Sequence, residues 1–293
     1  MISIVISSAD EKLLKEVKVS IERTIGIKDY EVLSYDNSDG SAGICEIYNR
    51  GIKDAKFDIL CFMHEDLAFN TDNWGLKVLE LFRNNHIGLL GVGGSTYRSK
   101  VPSGWCPPPV FGTDFWRLNV NQKFKYKQDT ERHDYFNPKQ EKLARVACVD
   151  GLWFCTTKEL ALKCMFDTAL LKGFHGYDID FSLAVGQYAP VYVTYEVLIT
   201  HFSEGNFSHQ WLGDLIRINQ KWERILPINF GDVKEEILLE KEKIALKEFL
   251  SATLMNRNIS FSQRSYLLWN CYKKQQLSSS RFVKFYFKLL GRR

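Results

Sequence analysis

The sequence has no CxxC pair, and its cysteines form no closely spaced set. The seven cysteines are odd in number, scattered between Cys45 and Cys271 and mostly embedded among apolar residues, as in ACVDGLWFC. A disulfide-stapled scaffold needs paired cysteines, and a structural zinc site needs closely spaced thiolate ligands. This pattern therefore argues against both and favours reduced core thiols in a cytoplasmic protein.

Long apolar runs and a strong charge of one sign are also missing. No stretch approaches the roughly 20 apolar residues that a membrane-spanning helix needs, and the chain opens on the strand-like run ISIVISS rather than on a secretory leader. Its 39 Lys and Arg residues against 35 Asp and Glu residues give a net charge of only +4. Because nucleic-acid binding relies on a strong basic field, we expect a soluble protein with no nucleic acid partner.

Residues 2–92 alternate between strand-like and helix-like patterns. Strands are predicted at 2–7, 30–35, 58–63 and 87–92, and helices at about 10–24, 41–54 and 73–84. Strands separated by helix-length crossovers pair in parallel and place helices on the faces of the sheet. The predicted fold class is therefore α/β, with a mostly parallel sheet flanked by helices.

Residues 93–137 break this alternation. They are rich in Gly, Pro, Ser and aromatic residues without a sustained period, which predicts a long functional loop. Strands at 144–155 and 191–200, with helices from Lys158 and at 178–187, complete the pattern. We therefore expect one α/β domain over residues 1–205, divided near residue 92, and a helical C-terminal region over residues 206–293.

Residues 272–293 carry seven basic and no acidic side chains. Apolar residues recur among them at helical spacing: Phe282, Phe285, Tyr286, Leu289 and Leu290. A basic amphipathic helix of this kind can lie on an anionic membrane surface, which for a cytoplasmic protein is the inner face of the membrane. The alternative is that the same helix packs on the domain and keeps its charges in water.

The segment FDILCFMHED, residues 57–66, carries the strongest chemical signal. Its apolar run ends in His64, Glu65 and Asp66, so a buried strand would deliver these groups at its carboxyl end, where open α/β sheets place ligands. Adjacent carboxylates repel each other unless a cation joins them, and hard oxygen ligands suit Mg²⁺ or Mn²⁺. We therefore consider a metal that clamps a diphosphate, and a solvated polar turn is the alternative.

Several segments resemble glycosyltransferases of family 2, which have the GT-A fold. The resemblance covers about 200 residues and rests on the first strand, on Asp36 and Asn37 after the second, and on GICEIYNRGIKDAKFDILCFMHED, VDGLWFCTTKEL and GFHGYDIDFSLAV. His64 stands where the Asp-x-Asp signature of the family has its first Asp, and Asp66 takes the last position. The resemblance implies a GT-A domain with a nucleotide-sugar half at 1–92 and an acceptor half at 93–205.

The same resemblance implies an activity and roles for residues. The activity is a metal-dependent, inverting transfer of a sugar from a nucleotide sugar, with UDP favoured, to a hydroxyl of a glycan or lipid-linked acceptor in polysaccharide biosynthesis. The implied metal ligands are Glu65, Asp66 and His201, the nucleotide contacts are Asp36, Asn37, Asn49 and Asp66, the general base is Asp178 with Asp180 as second choice, and the sugar or acceptor contacts are Trp105, Asp150, Gly151 and His175.

Each of these side chains also has a purely structural interpretation. Asp178 at the start of a helix can be an ordinary N-cap, and His201 after a strand can be a hydrogen-bonded residue without a metal. Tyr177 and His64 replace acidic residues of the family pattern, so a non-catalytic binding module on a degenerate GT-A scaffold is the alternative function. A nucleotidyltransferase is disfavoured because no Gly-rich basic phosphate loop follows the first strand.

Overall fold

The computed structural model describes residues 1–123, 131–202, 209–256, 259–274 and 276–291. Parts of the predicted loop at 93–137 and of the basic C-terminal segment, including Gln275, Arg292 and Arg293, lie outside the described residues. No helix in the described ranges has the length and apolar character that crossing a membrane requires.

The strands and helices alternate over the first part of the chain, and helices dominate its end. The strands are β1 Ile2–Ser8, β2 Tyr30–Asp36, β3 Ile59–Met63, β4 Leu67–Phe69, β5 Leu89–Gly91, β6 Gly93–Ser95, β7 Tyr97–Arg98, β8 Trp116–Lys123, β9 Glu131–Phe136, β10 Leu143–Val146, β11 Cys148–Val149, β12 Trp153–Thr157, β13 Val191–Thr194, β14 Ile199–His201 and β15 Ile228–Asn229. The helices are α1 Glu11–Thr24, α2 Ile44–Asp54, α3 Trp74–Asn84, α4 Lys158–Cys164, α5 Tyr177–Val185, α6 His209–Trp222, α7 Glu235–Met255, α8 Phe261–Lys273 and α9 Ser279–Leu290.

The main sheet has the strand order β10-β13-β5-β12-β3-β1-β2. Strand β1 pairs in parallel with β2 and β3, and β13 pairs in parallel with β5. Strand β12 lies antiparallel between β3 and β5, and β10 is an antiparallel edge strand. The predicted α/β class is confirmed, with β12 as a reversed strand inside the otherwise mostly parallel sheet.

Alternate residues of the central strands enter two different cores. Val5, Leu60 and Phe62 belong to the core on one face of the sheet, whereas Ile4 and Cys61 belong to the core on the other face. Because side chains alternate across a strand, a strand covered on both faces is apolar at every position. This explains the uninterrupted apolar run of β3, which delivers the polar residues after Met63 to the edge of the sheet.

A second sheet has the order β11-β6-β8-β14-β4, with β9 paired to β8. It corrects the prediction of a long loop at 93–137 in part, because β6, β8 and β9 lie in that segment while residues 99–115 contain no strand. Strand β6 has three residues, two of which are glycines that permit close backbone approach. A Cβ at Gly94 would lie 2.5 Å from the carbonyl oxygen of Cys148. Glycine reads as a loop signal in sequence, although here it serves close strand packing.

Two other predicted strands are divided in the structure. The segment predicted as one strand at 144–155 forms β10, β11 and β12, which belong to two sheets. The segment predicted at 191–200 forms β13 in the main sheet and β14 in the second sheet. The chain therefore crosses from one sheet to the other between Thr194 and Ile199, and this crossing brings β14 to the end of β3.

The C-terminal region is helical, as predicted, apart from the short strand β15, which pairs with β7. Helices α7, α8 and α9 share a core of their own, formed by Leu250, Leu254, Leu268, Cys271, Leu277, Phe282, Phe285 and Leu289. Helix α7 also packs through Leu238 and Ala245 on a cluster around Tyr97 and Phe111. The boundary near residue 205 between the two regions stays a prediction.

Candidate functional site

The candidate site lies at the carboxyl end of β3, where the two sheets meet. Strands β4 and β14 pair antiparallel with His201 opposite Leu67. The backbone N–H of Phe202 donates to the carbonyl oxygen of Asp66 at 3.0 Å, and the N–H of His64 donates to that of Leu152 at 3.0 Å. These backbone contacts hold three distant parts of the chain around one point.

His64, Asp66 and His201 form a compact group at this point, which we call the His-Asp-His triad. Each offers one ligand atom, and these atoms lie within 4.8 Å of one another. The Nδ1 atom of His64 is 3.8 Å from Oδ1 of Asp66, and the Nε2 atom of His201 is 3.7 Å from Oδ2 of Asp66. All three side chains are partly buried.

A hydrogen bond on the far side of the ring sets the proton position of His64. Its Nε2 atom lies 2.8 Å from the hydroxyl oxygen of Tyr177, and that hydroxyl donates to the carbonyl oxygen of Gly151 at 3.1 Å. Because the hydroxyl has one proton and gives it to the carbonyl, it accepts from Nε2–H of His64. In the neutral imidazole this leaves the lone pair on Nδ1, the nitrogen that faces Asp66.

The ring of His201 is oriented in the same way by Gln122. Nδ1 of His201 lies 3.2 Å from Oε1 of Gln122, which only accepts, so Nδ1 carries the proton and Nε2 has the lone pair. Burial lowers the pKa of His201, although the charge of Asp66 acts in the opposite direction. A neutral imidazole with a free lone pair is the form that binds metals.

With both rings in these neutral tautomers, the lone pairs of His64 and His201 point toward the carboxylate of Asp66. Within the described part of the chain, neither Oδ1 of Asp66 nor Nε2 of His201 has a hydrogen-bond partner, although both are buried. Such groups cost free energy unless something compensates for the lost water. Two imidazoles and one carboxylate are a donor set that fits a divalent transition-metal ion.

Glu65 faces away from the triad. Its carboxylate accepts hydrogen bonds from the hydroxyl of Ser8 at 2.6 Å and from the backbone N–H groups of Ala9 and Asp10 at 3.0 and 3.1 Å. The chain bends between β3 and β4, and there His64 and Asp66 approach each other while the carboxylate of Glu65 contacts the turn between β1 and α1. Glu65 as a metal ligand therefore stays a prediction, and its observed contacts hold the turn between β1 and α1.

Two clefts border the triad. The first, of about 260 Å³, lies at the ends of β1, β2 and β3, and its lining includes Ala9, Asn37, Tyr48, His64 and Phe174. The second, of about 270 Å³, lies between α1 and β4. Because open α/β sheets bind ligands at the carboxyl ends of parallel strands, we take the first cleft as the ligand site.

The predicted nucleotide contacts differ in their surroundings. Asp36 is exposed, and the hydrogen bond from the N–H of Ser38 lowers its pKa. Asn37 lines the first cleft, but its amide is engaged by the backbone of Ala42 in both directions. Asn49 is similarly bonded to the backbone of Phe166 at 2.8 Å in both directions. The structure therefore brings Asn37 and Asp66 to the cleft and uses Asn49 to join α2 to the segment after α4.

Asp178 lies in the first turn of α5, beside the turn that carries Asp150. The N-cap of α5 is Gly176, so Asp178 is not the cap. Its Oδ2 atom accepts the backbone N–H of Gly151 at 3.1 Å. Burial and the negative charge of Asp150 raise the pKa of Asp178 to about 7, although backbone N–H groups of the first turn act in the opposite direction. A carboxyl group with such a pKa is suited to proton transfer near neutrality.

Gly151 allows this close approach of α5. A Cβ at this position would lie 2.3 Å from the hydroxyl oxygen of Tyr177 and 3.2 Å from Cβ of Asp178. A glycine is therefore needed between the base candidate and the tyrosine that orients His64. Sequence reasoning assigned Gly151 to the sugar or acceptor, and the structure shows this packing role beside that prediction.

Asp180 has a different environment from Asp178. It is buried and contacts Lys221 at 2.9 Å, and its Oδ1 atom accepts from Nε1 of Trp222 at 2.7 Å. Residues two apart on a helix point to nearly opposite sides. Asp180 therefore ties α5 to α6, and Asp178 is the carboxylate beside the Asp150 turn.

The predicted sugar contacts are only partly gathered at the cleft. Trp105 packs beside Trp116, with ring centroids 5.8 Å apart, and contributes to the core rather than to the first cleft. His175 is half-buried, and burial lowers its pKa while Asp214 opposes this change. The aromatic residue that lines the cleft beside Tyr48 is Phe174.

Arg98 belongs to the segment that was predicted as a long loop. It lies on β7 and is buried. Its guanidinium donates to the carbonyl oxygens of Ser103 and Gly104 at 2.9 and 2.6 Å and to Oδ1 of Asn219 at 2.6 Å. Arg98 therefore organises the loop internally.

The chain is similar in sequence to one known family and in structure to several solved proteins. The sequence model of a family described as "Glycosyltransferase like family" matches residues 3–216. Similar solved structures include GalNAc-T7 with UDP, GalNAc and Mn²⁺, at 12% identity and a TM-score of 0.53, covering 77% of this chain and 49% of that one. A second is the S. aureus TarS 1-349 structure in complex with UDP, at 13% identity and a TM-score of 0.50, covering 85% and 72%.

At these identities the structural likeness concerns the fold. The chain spans about half the length of the GalNAc-T7 structure. The search of curated proteins found no match.

Proposed function

This chain belongs to the glycosyltransferase-like family, and from that premise we propose that it transfers a sugar from a nucleotide sugar to a hydroxyl of an acceptor. UDP is the favoured nucleotide, and a glycan or lipid-linked glycan is the favoured acceptor. GalNAc-T7 with UDP, GalNAc and Mn²⁺ and TarS with UDP have related folds, which supports this choice of donor. Polysaccharide synthesis in the cytoplasm is the setting that this proposal implies.

The observation that carries the proposal is the His-Asp-His triad at the edge of the first cleft. Its unprotonated nitrogens and buried carboxylate oxygen fit a divalent cation. When bound, such an ion would stabilise the negative charge of the departing diphosphate as a Lewis acid. Since two of the three donors are imidazoles, we favour Mn²⁺ over Mg²⁺, which prefers oxygen ligands and water.

Asp178 is the proposed general base. Its carboxylate is held by the N–H of Gly151 and would accept the proton of the acceptor hydroxyl as that oxygen attacks the anomeric carbon. Asp150 directly precedes Gly151, and its negative charge helps to raise the pKa of Asp178. One displacement with one base inverts the anomeric centre, so the proposed transferase is inverting.

The pH dependence of kcat/KM follows from the raised pKa of Asp178. The ionised form is the base, so we expect kcat/KM to rise with pH and to level off above about 7. The Asp150→Asn variant removes the like charge and should move this rising limb to lower pH. Steady-state rates across pH in both proteins test this, and a limb that stays at the same pH would contradict the role of Asp150.

The same pKa shift affects stability with the opposite sign. The pKa of an aspartate carboxyl group in an unfolded chain is about 4, whereas the pKa of Asp178 in the folded protein is about 7. Between these values the folded state holds more protons than the unfolded state. The contribution of Asp178 to the free energy of unfolding therefore decreases as pH rises through this window.

A panel of nucleotide sugars with Mn²⁺ tests the proposed function directly. A correct donor at about 100 times its dissociation constant should stabilise the protein by roughly 2.7 kcal/mol, which a thermal shift detects. Release of nucleoside diphosphate from the same donor identifies an enzyme. Binding without any turnover would support the alternative, a non-catalytic module, and no shift with any nucleotide sugar would refute both.

A further inference from the structure

Helix α9 packs on α7 and α8 through one face. Phe282, Phe285 and Leu289 are buried in the core of this three-helix region. From the sequence, these apolar side chains of the C-terminal segment could either contact a membrane or pack on the protein. The structure shows that these three are packed. The remaining faces of α9 and α8 determine what else this region can bind.

Large apolar side chains remain exposed beside that core. Val283 and Phe287 on α9 are 50% and 67% exposed, and they lie one helical turn apart on the same side of the helix. Tyr266 and Trp269 on α8 are 57% and 44% exposed. The Trp269 ring lies 4.7 Å from that of Phe282, so Trp269 borders α9. We call these four residues the α8–α9 surface.

Cationic side chains flank this surface. Arg281, Lys284 and Lys288 are exposed on α9, and no ion pair joins them to a carboxylate within the described ranges. Residues 272–293 contain no Asp or Glu. Aromatic and aliphatic side chains beside cations that have no carboxylate partner are the composition of helices that lie in the interface of an anionic membrane.

We propose that the α8–α9 surface docks on an anionic lipid bilayer, with its apolar side chains among the headgroups and its cations on the lipid phosphates and carboxylates. A second copy of this chain is a poorer occupant, because a symmetric contact would place two surfaces of the same positive charge against each other. Attachment of this kind is peripheral and needs no spanning helix. The inference is independent of the reaction proposed above.

Vesicle sedimentation of the full chain tests this inference. We expect binding to vesicles of equal parts phosphatidylcholine and phosphatidylserine, little binding to phosphatidylcholine alone, and release by high salt. Two double variants should each lower the partition coefficient by about tenfold or more: Val283→Ser with Phe287→Ser, and Lys284→Glu with Lys288→Glu. The four substituted side chains are all exposed, so both double variants should retain the melting temperature of the parent chain.

Matched controls separate this surface from general effects. Lys15→Glu with Lys28→Glu changes the net charge equally at exposed positions of the α/β domain, and Leu76→Ser removes an exposed apolar side chain of α3. These controls should retain vesicle binding. Equal losses in the controls, or no binding of the parent chain to anionic vesicles, would overturn the proposal. It would also be overturned if light scattering showed dimers that only the surface variants dissociate, with vesicle binding unchanged.

Discussion

Replacing Asp178 by Asn is expected to lower kcat by about 10²- to 10⁴-fold, which is the range for loss of one general base. The asparagine side chain has nearly the same shape and can still accept the N–H of Gly151 through its oxygen, but it cannot take a proton from the acceptor. The dissociation constant of the nucleotide sugar should change by no more than about twofold, because the base acts on the acceptor. Steady-state kinetics together with calorimetric titration of the donor measures both quantities.

Asp180→Asn is the matched control, two residues along the same helix. It removes the charge that meets Lys221, so the melting temperature should decrease while the folded protein keeps its turnover. Asp178→Asn should not show this loss of stability, because burial already disfavours the ionised carboxylate there. Full turnover in Asp178→Asn would show that Asp178 is not the base. Loss of turnover in Asp180→Asn at equal folded fraction would then assign that role to Asp180.

Loss of metal binding is the second large effect that we expect. Asp66→Asn removes the negative charge of the His-Asp-His triad, and His201→Ala removes one of its donors. Each should weaken Mn²⁺ binding by at least about 100-fold, because loss of an outer-shell partner alone costs about 10- to 100-fold. Isothermal titration of the metal-free protein with Mn²⁺ measures this independently of turnover. Metal-dependent binding of the nucleotide sugar should decrease in parallel.

Glu65→Gln distinguishes the observed triad from the two-carboxylate arrangement expected from sequence. Its carboxylate binds the β1–α1 turn, so this variant should keep the Mn²⁺ affinity of the parent protein within a few-fold. A loss as large as that of Asp66→Asn would restore Glu65 as a ligand. Unchanged Mn²⁺ affinity in both Asp66→Asn and His201→Ala would refute the triad as a metal site.

In the first part of the chain, the local sequence pattern predicted the bounds of several strands and helices correctly. Strand β1 and helices α1 and α3 begin and end within about two residues of their predicted positions, because each has a clear period and α1 has a capping residue. The side chain of Asp10 accepts from the N–H groups of Lys12 and Leu13 and defines the start of α1. The family resemblance drawn from these segments is confirmed by the match over residues 3–216.

The middle of the chain was less predictable, because β6, β7 and β11 have only two or three residues each and pair with strands distant in sequence. Gly93 and Gly94 have no side-chain period to read, yet they form β6 between β8 and β11. The sequence around Arg98 is typical of an exposed loop, but in the structure its guanidinium is buried and donates to Ser103 and Asn219. Strand pairing of this kind depends on contacts across the fold, which a local window does not contain.

The sequence by itself determined the α/β class, the buried strand β3 and the delivery of ionisable groups directly after Met63, since these follow from periodicity and from polarity at the strand end. Only the tertiary structure decided which of those groups act together. The pairing of β4 with β14 places His201 beside Asp66, and the approach of α5 places Tyr177 on His64. The bend between β3 and β4 directs His64 and Asp66 toward each other and Glu65 toward the β1–α1 turn, so the choice of ligands depends on the chain path and on packing rather than on composition.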